Sequence, residues 1–181
     1  VMAALAVATV PAVAGRVAPA GTVDLAPPLG AGTYYVVSGG GTNVLNVHLA
    51  TLTGERFRPY RGQSYAVDLI AVDALGLRAH GVAPSDPAAY FVYGAEVRAP
   101  CAGEVAVARD GLPDLPVPET DPENLAGNHV VIDCGGHAVA LAHLKRGSVA
   151  VGAGAAVRAG DAVGQVGNSG NTSEPHLHVH V

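Results

Sequence analysis

Short valine-rich segments separated by glycine turns constrain the fold of this chain more than any other feature. Apolar side chains alternate with others between Val97 and Arg109, and valines separated by glycines continue through residues 149–163. Alternation with a period of two is typical of β-strands, because successive side chains point to opposite faces of a sheet. The 24 glycines and 13 prolines among 181 residues imply many turns. The sequence therefore predicts an all-β fold.

Further segments of strand character complete this pattern. They lie at residues 34–37, 65–72, 129–133 and 138–144. The last two flank a Cys-Gly-Gly-His sequence that is typical of a hairpin turn, so we expect them to pair antiparallel. Proline-rich residues 110–127 and Gly/Asn/Ser-rich residues 164–175 are predicted to be loops.

Composition divides the chain into three parts. Residues 1–14 carry no charge and end in Ala-Val-Ala, which predicts the remnant of a secretory signal peptide. A buried or disordered alanine-rich segment is the alternative. Residues 15–32 are expected to be a linker and residues 33–181 a single domain; whether the sequence is truncated at the C-terminal end of this domain is left open. With a net charge of −5 and no basic patch, we expect no nucleic-acid partner. We also expect no stable membrane insertion of the mature domain.

The last six residues carry histidines at alternate positions, His176, His178 and His180. On a strand these imidazoles share one face, while the intervening Leu177, Val179 and Val181 occupy the other. Neutral imidazole is a good zinc ligand, and free imidazole transfers protons near neutral pH. The alternative is a solvated edge strand that is rich in histidine. We interpret the pattern as one wall of a metal-binding groove.

Two further polar residues lie in apolar surroundings. Asp68 lies inside the apolar run 65–72, where an unpaired buried carboxylate costs several kcal/mol unless it is exposed at a sheet edge or compensated. His143 ends an apolar strand, and alone it is more often a hydrogen-bonded core residue. Together with the C-terminal histidines, however, one carboxylate and several imidazoles on separate strands are the parts of an open catalytic zinc site.

Residues 34–181, and most clearly Tyr90–Val181, resemble the lysostaphin-like zinc metallopeptidases, which cut peptide cross-links in bacterial cell walls. The matching segments are GAEVRAPCAGEV (residues 94–105), GNHVVI (127–132), AHL (142–144), VRAGDAVGQVGNSG (157–170) and PHLH (175–178). The last segment is the most specific. The resemblance implies an antiparallel β-sheet or β-sandwich with a substrate groove, of the duplicated-hybrid-motif type.

The resemblance also implies roles for individual residues. Zinc in that family is held by a His-x-x-x-Asp motif and the second histidine of His-x-His, which match Asp68 and His178. His143 and His176 match the residues that act in proton transfer or transition-state stabilisation. Ser64 stands where the first ligand is expected, so the chain is a divergent member of the family.

A histidine from elsewhere must replace the missing ligand if zinc is bound. His48 is the best candidate, because it follows a glycine-rich turn and precedes Asp68 by one irregular loop. His80 and His180 are weaker candidates, and His180 can instead support a ligand. We assign no role to His129 or His137.

The resulting hypothesis is a zinc-dependent endopeptidase that acts on peptidoglycan peptides and is secreted, periplasmic or associated with the cell envelope. The alternative is a catalytically inactive domain of the same fold that binds peptidoglycan or regulates another wall hydrolase. In the enzyme, glycine-rich residues 164–170 are expected to form a rim along which an extended peptide lies. The oligomeric state stays open.

The two cysteines are predicted to form a disulfide. Cys101 opens the strand that runs to Arg109, and Cys134 closes the strand that begins near Gly127. If these strands pair antiparallel through the proline-rich loop, counting back from Arg109 opposite Gly127 places the cysteines opposite each other. Export to an oxidising compartment would allow the bond to form. Two buried free thiols are the alternative.

Overall fold

Nine antiparallel strands in two sheets make up the fold of the computed structural model, which describes residues 23–42 and 44–181. The strands are β1 (Tyr34–Ser38), β2 (Val67–Ala71), β3 (Glu96–Arg98), β4 (Gly103–Arg109), β5 (Asn128–Asp133), β6 (Ala138–Leu144), β7 (Ala156–Val157), β8 (Ala162–Gln165) and β9 (Leu177–His180). The helical segments are short 3-10 helices at Val47–Leu52, Glu55–Gln63 and Pro87–Ala89. The predicted all-β class is confirmed. The expected signal remnant, 1–14, and the linker as far as residue 22 lie outside the described residues.

Within residues 23–42 and 44–181, the helices are too short and too polar to cross a lipid bilayer.

The last strand lies in the middle of the larger sheet. The strand order there is β1-β2-β9-β6-β5-β4-β7, so β9 is paired on both sides. In this register His178 lies opposite Asp68 of β2 and opposite Ala142 of β6. The residues singled out from the sequence on three separate strands therefore come together at the centre of one sheet. The solvated-edge alternative for the C-terminal histidines is wrong.

The core covers one face of this sheet. Side chains from its central strands, including Val105, Ile132, Leu141 and Leu177, are fully buried. The two-stranded sheet β3-β8 contributes Val97 and Val163 to the same cluster. Each such side chain stabilises the fold by about 1.5–3 kcal/mol through removal from water. Leu177 and Val179 pack as the alternation in the last strand predicts, whereas Val181 is half exposed.

The segment 97–109 is not one continuous strand, as the sequence pattern suggested. β3 ends at Arg98 and pairs with β8, and β4 begins only at Gly103. Pro100 lies between them and cannot donate a hydrogen bond to a neighbouring strand, which interrupts the pairing. The chain therefore passes from the smaller sheet to the larger one at this point.

The predicted disulfide joins Cys101 to Cys134, whose Cα atoms are 5.8 Å apart. The strand register differs from the one used to predict it. A bulge between Val105 and Val107 places Arg109 opposite His129, rather than opposite Gly127. The strand pairing ends at Glu104 opposite Asp133, and the cysteines meet just beyond that end, outside the paired strands.

Candidate metal centre

Asp68 and His178 form the middle of a polar cluster on β2 and β9. Directly opposite residues on antiparallel strands project to the same side of a sheet, and here His178 Nδ1 lies 2.9 Å from Asp68 Oδ1. Asp68 and His178 are only 7% and 4% exposed. Because β2 is paired on both sides, Asp68 is not at a sheet edge. Neighbouring side chains must therefore offset the cost of burying its negative charge.

His48 reaches this pair from outside the sheet. It lies in the 3-10 helix Val47–Leu52, and its Nε2 is 3.4 Å from Asp68 Oδ2. Its ring centroid is 4.9 Å from that of His178. Ser64 does not contribute a donor, since it is fully buried and its hydroxyl is bonded to Thr51 Oγ1 at 2.6 Å. The structure therefore brings together the three residues predicted as metal ligands.

His143 and His176 lie on the other side of the same cluster. His176 Nε2 is 3.5 Å from Asp68 Oδ1, and the ring centroids of His143 and His176 are 4.7 Å apart. His143 has a φ of 61°, in the left-handed region, which non-glycine residues rarely adopt and which recurs at functional sites. Two backbone hydrogen bonds hold this conformation. The His143 N–H donates to the Ala126 carbonyl, and the His143 carbonyl accepts from the Gly167 N–H.

Hydrogen bonds define which nitrogen of each ring points into the cluster. In three histidines Nδ1 lies 2.9–3.0 Å from an oxygen that can only accept: Asn46 Oδ1 for His48, the Ser169 carbonyl for His143 and the Glu174 carbonyl for His176. Each Nδ1 must therefore carry the hydrogen, and the lone pair of the neutral ring is on Nε2. For His48 and His176 this lone pair is the one near Asp68.

Imidazole lone pairs that converge beside a carboxylate form a site that can bind a cation. The donor atoms fall into two groups, His48–Asp68–His178 and His143–His176–His178, and within each group they lie within 4.8 Å of one another. Two imidazole nitrogens and one carboxylate oxygen are ligands that zinc prefers, and three protein ligands are the number typical of an open catalytic site. The first group therefore fits zinc.

Burial sets the protonation of this cluster. It lowers the pKa of His48 and of His176 despite the attraction of Asp68, and it lowers the pKa of His143 further, together with repulsion from His176 and His178. Burial alone would raise the pKa of Asp68, but the hydrogen bond with His178 and the surrounding imidazoles lower it overall. The rings of His48, His143 and His176 are thus neutral and the Asp68 carboxylate ionised near neutral pH, as metal binding requires.

The remaining histidines differ in their relation to the site. His180 does not reach Asp68 but lies with its Nδ1 2.9 Å from His178 Nε2, and burial lowers its pKa to about 4. This position suits the expected supporting role. His80 packs edge-on against Phe91, with ring centroids 4.7 Å apart, and contributes to neither donor group. His129 bonds the Gly127 carbonyl at 2.8 Å, and His137 is exposed.

The cluster forms the floor of an open groove of about 520 Å³. One wall comes from the segment that carries the first two 3-10 helices and the other from two loops; the wall residues are Val47, Ala50, Thr51, Tyr60, Gln63, Pro122, Leu125 and Asn171–Ser173. None of them is charged. Tyr60 and Leu125 could not be recognised as groove residues from the sequence, because they belong to segments without a motif.

The glycine-rich segment 164–170 does not form a groove rim, contrary to expectation. Residues 166–170 are buried, and a Cβ at Gly170 would collide with the Gly127 amide nitrogen. Gly167 similarly approaches the Lys145 backbone too closely for a side chain. These glycines let loops pack against each other inside the protein, while Asn171 and Ser173, which follow, are exposed beside the groove.

One protein family and two solved structures are similar to this chain. The sequence model of peptidase family M23 matches residues 89–181, which include His143, His176 and His178 but neither His48 nor Asp68. A proposed peptidase M23 from Pseudomonas aeruginosa aligns with a TM-score of 0.48 at 18% identity, over 88% of this chain and 45% of that one. A zinc-containing peptidase from Vibrio cholerae aligns with a TM-score of 0.38 at 19% identity, over 63% of this chain and 45% of that one. The chain thus spans less than half the length of either protein. Among curated proteins none matches the chain.

Proposed function

Because the chain belongs to peptidase family M23, we propose that it is a zinc-dependent endopeptidase that cleaves peptide bonds in bacterial cell-wall peptidoglycan. The observation that carries the proposal is the convergence of imidazole lone pairs on the buried Asp68 carboxylate. In the proposed site His48 Nε2, an Asp68 oxygen and His178 Nδ1 would hold the metal. When bound, zinc supplies a Lewis acid that polarises the scissile carbonyl.

His143 and His176 perform the proton transfers in this proposal. Each has its Nδ1–H bonded to a backbone carbonyl, which leaves Nε2 free to accept a proton from the attacking water. The carbonyl partners then stabilise the positive ring, because a hydrogen bond from a charged donor is stronger. The same Nε2–H can afterwards stabilise the oxyanion or pass its proton to the leaving amine.

The groove supports a peptide substrate with small or neutral side chains. Among the described residues, the walls carry no charged side chain besides those of the cluster, so this part of the lining neither attracts nor repels a charged residue at the cleaved bond. An open groove also admits an extended chain that continues beyond both ends. The disulfide between Cys101 and Cys134 suits an oxidising compartment, which supports secretion, a periplasmic location or association with the cell envelope.

Metal content and product analysis test the proposal directly. Purified protein should contain about one equivalent of zinc, and this zinc should be lost in His178→Ala and Asp68→Asn but kept in the control His80→Ala. Incubated with purified sacculi, the zinc-loaded protein should release peptide fragments with new amino termini, detected by mass spectrometry.

Two results would contradict the proposal in different ways. A metal-free protein that still binds sacculi would favour the non-catalytic binding or regulatory domain. A zinc-containing protein that releases no amino termini from sacculi, yet cleaves other peptides, would exclude peptidoglycan as the substrate while leaving the peptidase assignment intact.

A further inference from the structure

A buried asparagine lies directly behind His48. Asn46 is fully buried, and its Nδ2 donates hydrogen bonds to the Gly40 and Ser64 carbonyls, each at 3.0 Å. Carbonyl oxygens cannot donate, so these two bonds define the orientation of the amide. Asn46 Oδ1 is therefore the acceptor, and it faces His48.

Asn46 Oδ1 determines the tautomer of the His48 ring. Asn46 Oδ1 accepts the backbone N–H of His48 at 3.0 Å and lies 3.0 Å from Nδ1 of its ring. Nδ1 must carry hydrogen to avoid facing an oxygen with a lone pair. Ser38 Oγ, 3.2 Å from the same nitrogen, can accept from it as well. The lone pair is left on Nε2, which faces Asp68.

Ser64 takes part in the same network. Its carbonyl accepts from Asn46, and its hydroxyl is bonded to Thr51 Oγ1 at 2.6 Å and donates to the Arg61 carbonyl at 2.7 Å. Thr51 Oγ1 in turn lies 2.7 Å from the His48 carbonyl. These bonds link the 3-10 helix that carries His48 to the residue just before β2. Position 64 thus supports the histidine instead of supplying one.

We propose that Asn46 is the positioning residue of the metal site, and that it holds His48 in the Nδ1–H form with Nε2 directed at the metal position beside Asp68. A hydrogen-bond partner behind a metal-bound histidine orients the ring, and removal of that partner typically lowers metal affinity about 10–100-fold. This inference rests on the proposed zinc function.

Two substitutions separate positioning from stability. Asn46→Ala removes the acceptor, so zinc affinity measured by competition with a chelator should fall about 10–100-fold, and the absorption spectrum of the Co²⁺-substituted protein should change. Asn46→Asp keeps an oxygen toward His48 but turns the Nδ2 donor into an acceptor facing two carbonyls. It should therefore lower the melting temperature while keeping a zinc affinity closer to that of the unmodified chain.

Asn128 offers a matched control. It is also fully buried, and its Nδ2 likewise donates to two carbonyls, those of Leu112 and Leu144. Asn128→Ala should lower the melting temperature and leave zinc affinity unchanged. An Asn46→Ala protein that binds zinc within about twofold of the unmodified chain, against the 10–100-fold loss expected, would overturn the inference.

A measurement on the unmodified, metal-free chain covers the case in which the Asn46 variants fail to fold. Nitrogen-15 NMR of the histidine rings reports the tautomer, and His48 should carry its hydrogen on Nδ1. Hydrogen on Nε2 would refute the inference. This readout needs no metal, so it separates the two proposals. A chain without zinc affinity would end the proposed function. The tautomer would still decide whether Asn46 holds His48 in the Nδ1–H form.

Discussion

Removing His48 should weaken zinc binding more than removing any histidine outside the donor group. The binding free energy of zinc held by four protein ligands is about 10–16 kcal/mol, which is roughly 2.5–4 kcal/mol for each ligand. His48 supplies one of the three proposed ligands. At about 1.4 kcal/mol for each factor of ten, His48→Ala should raise the zinc dissociation constant about 10²–10³-fold, measured by competition with a chelator of known affinity.

A graded series makes this prediction specific. His180 Nδ1 lies 2.9 Å from Nε2 of His178, the ring nitrogen that faces away from Asp68, so His180→Ala should weaken zinc binding by about tenfold. His80, packed against Phe91, should have no effect. Adding Ser64→His to His48→Ala should not restore binding, because Ser64 is fully buried and its hydroxyl is bonded. A His48→Ala protein with unchanged zinc affinity, or restoration by Ser64→His, would refute the assignment of His48.

Three further predictions concern stability. Replacing both cysteines by alanine should lower the free energy of unfolding in urea by about 3–4 kcal/mol, as the chain-entropy model gives for a separation of 33 residues; an unchanged midpoint would contradict this. Gly170→Ala should lower the free energy of unfolding by about 1–3 kcal/mol more than Gly154→Ala. Both glycines have positive φ, but of the two only Gly170 lies close to Gly127. Equal losses in thermal denaturation would count against this packing. Burial and the charge of Asp114 raise the pKa of Tyr93 to about 12, so the folded state keeps this proton longer than the unfolded state, and stability should fall as pH rises from about 10 to 12. Tyr93→Phe should reduce that fall in melting temperature, and an identical pH profile would disprove it.

The sequence by itself determined the fold class, the family and several members of the site. The all-β class follows from local properties, a period of two in the apolar residues and glycines between the runs. The family resemblance, confirmed by the match over residues 89–181, came from short motifs of which Pro-His-Leu-His is the most specific. The disulfide was also predicted correctly, although its register was not. The roles of His143, His176 and the three proposed ligands remain predictions.

Only the tertiary structure decided how these parts meet. No local pattern specifies that β9 lies between β2 and β6, or that Asp68 faces His178, because strand order and register depend on packing between distant segments. The same holds for His48: the sequence suggested it as a substitute, but the folded loop brings it to Asp68. Asn46 and the glycines of residues 164–170 could not be interpreted locally, since an amide or a glycine acquires its role from the groups that the fold places against it.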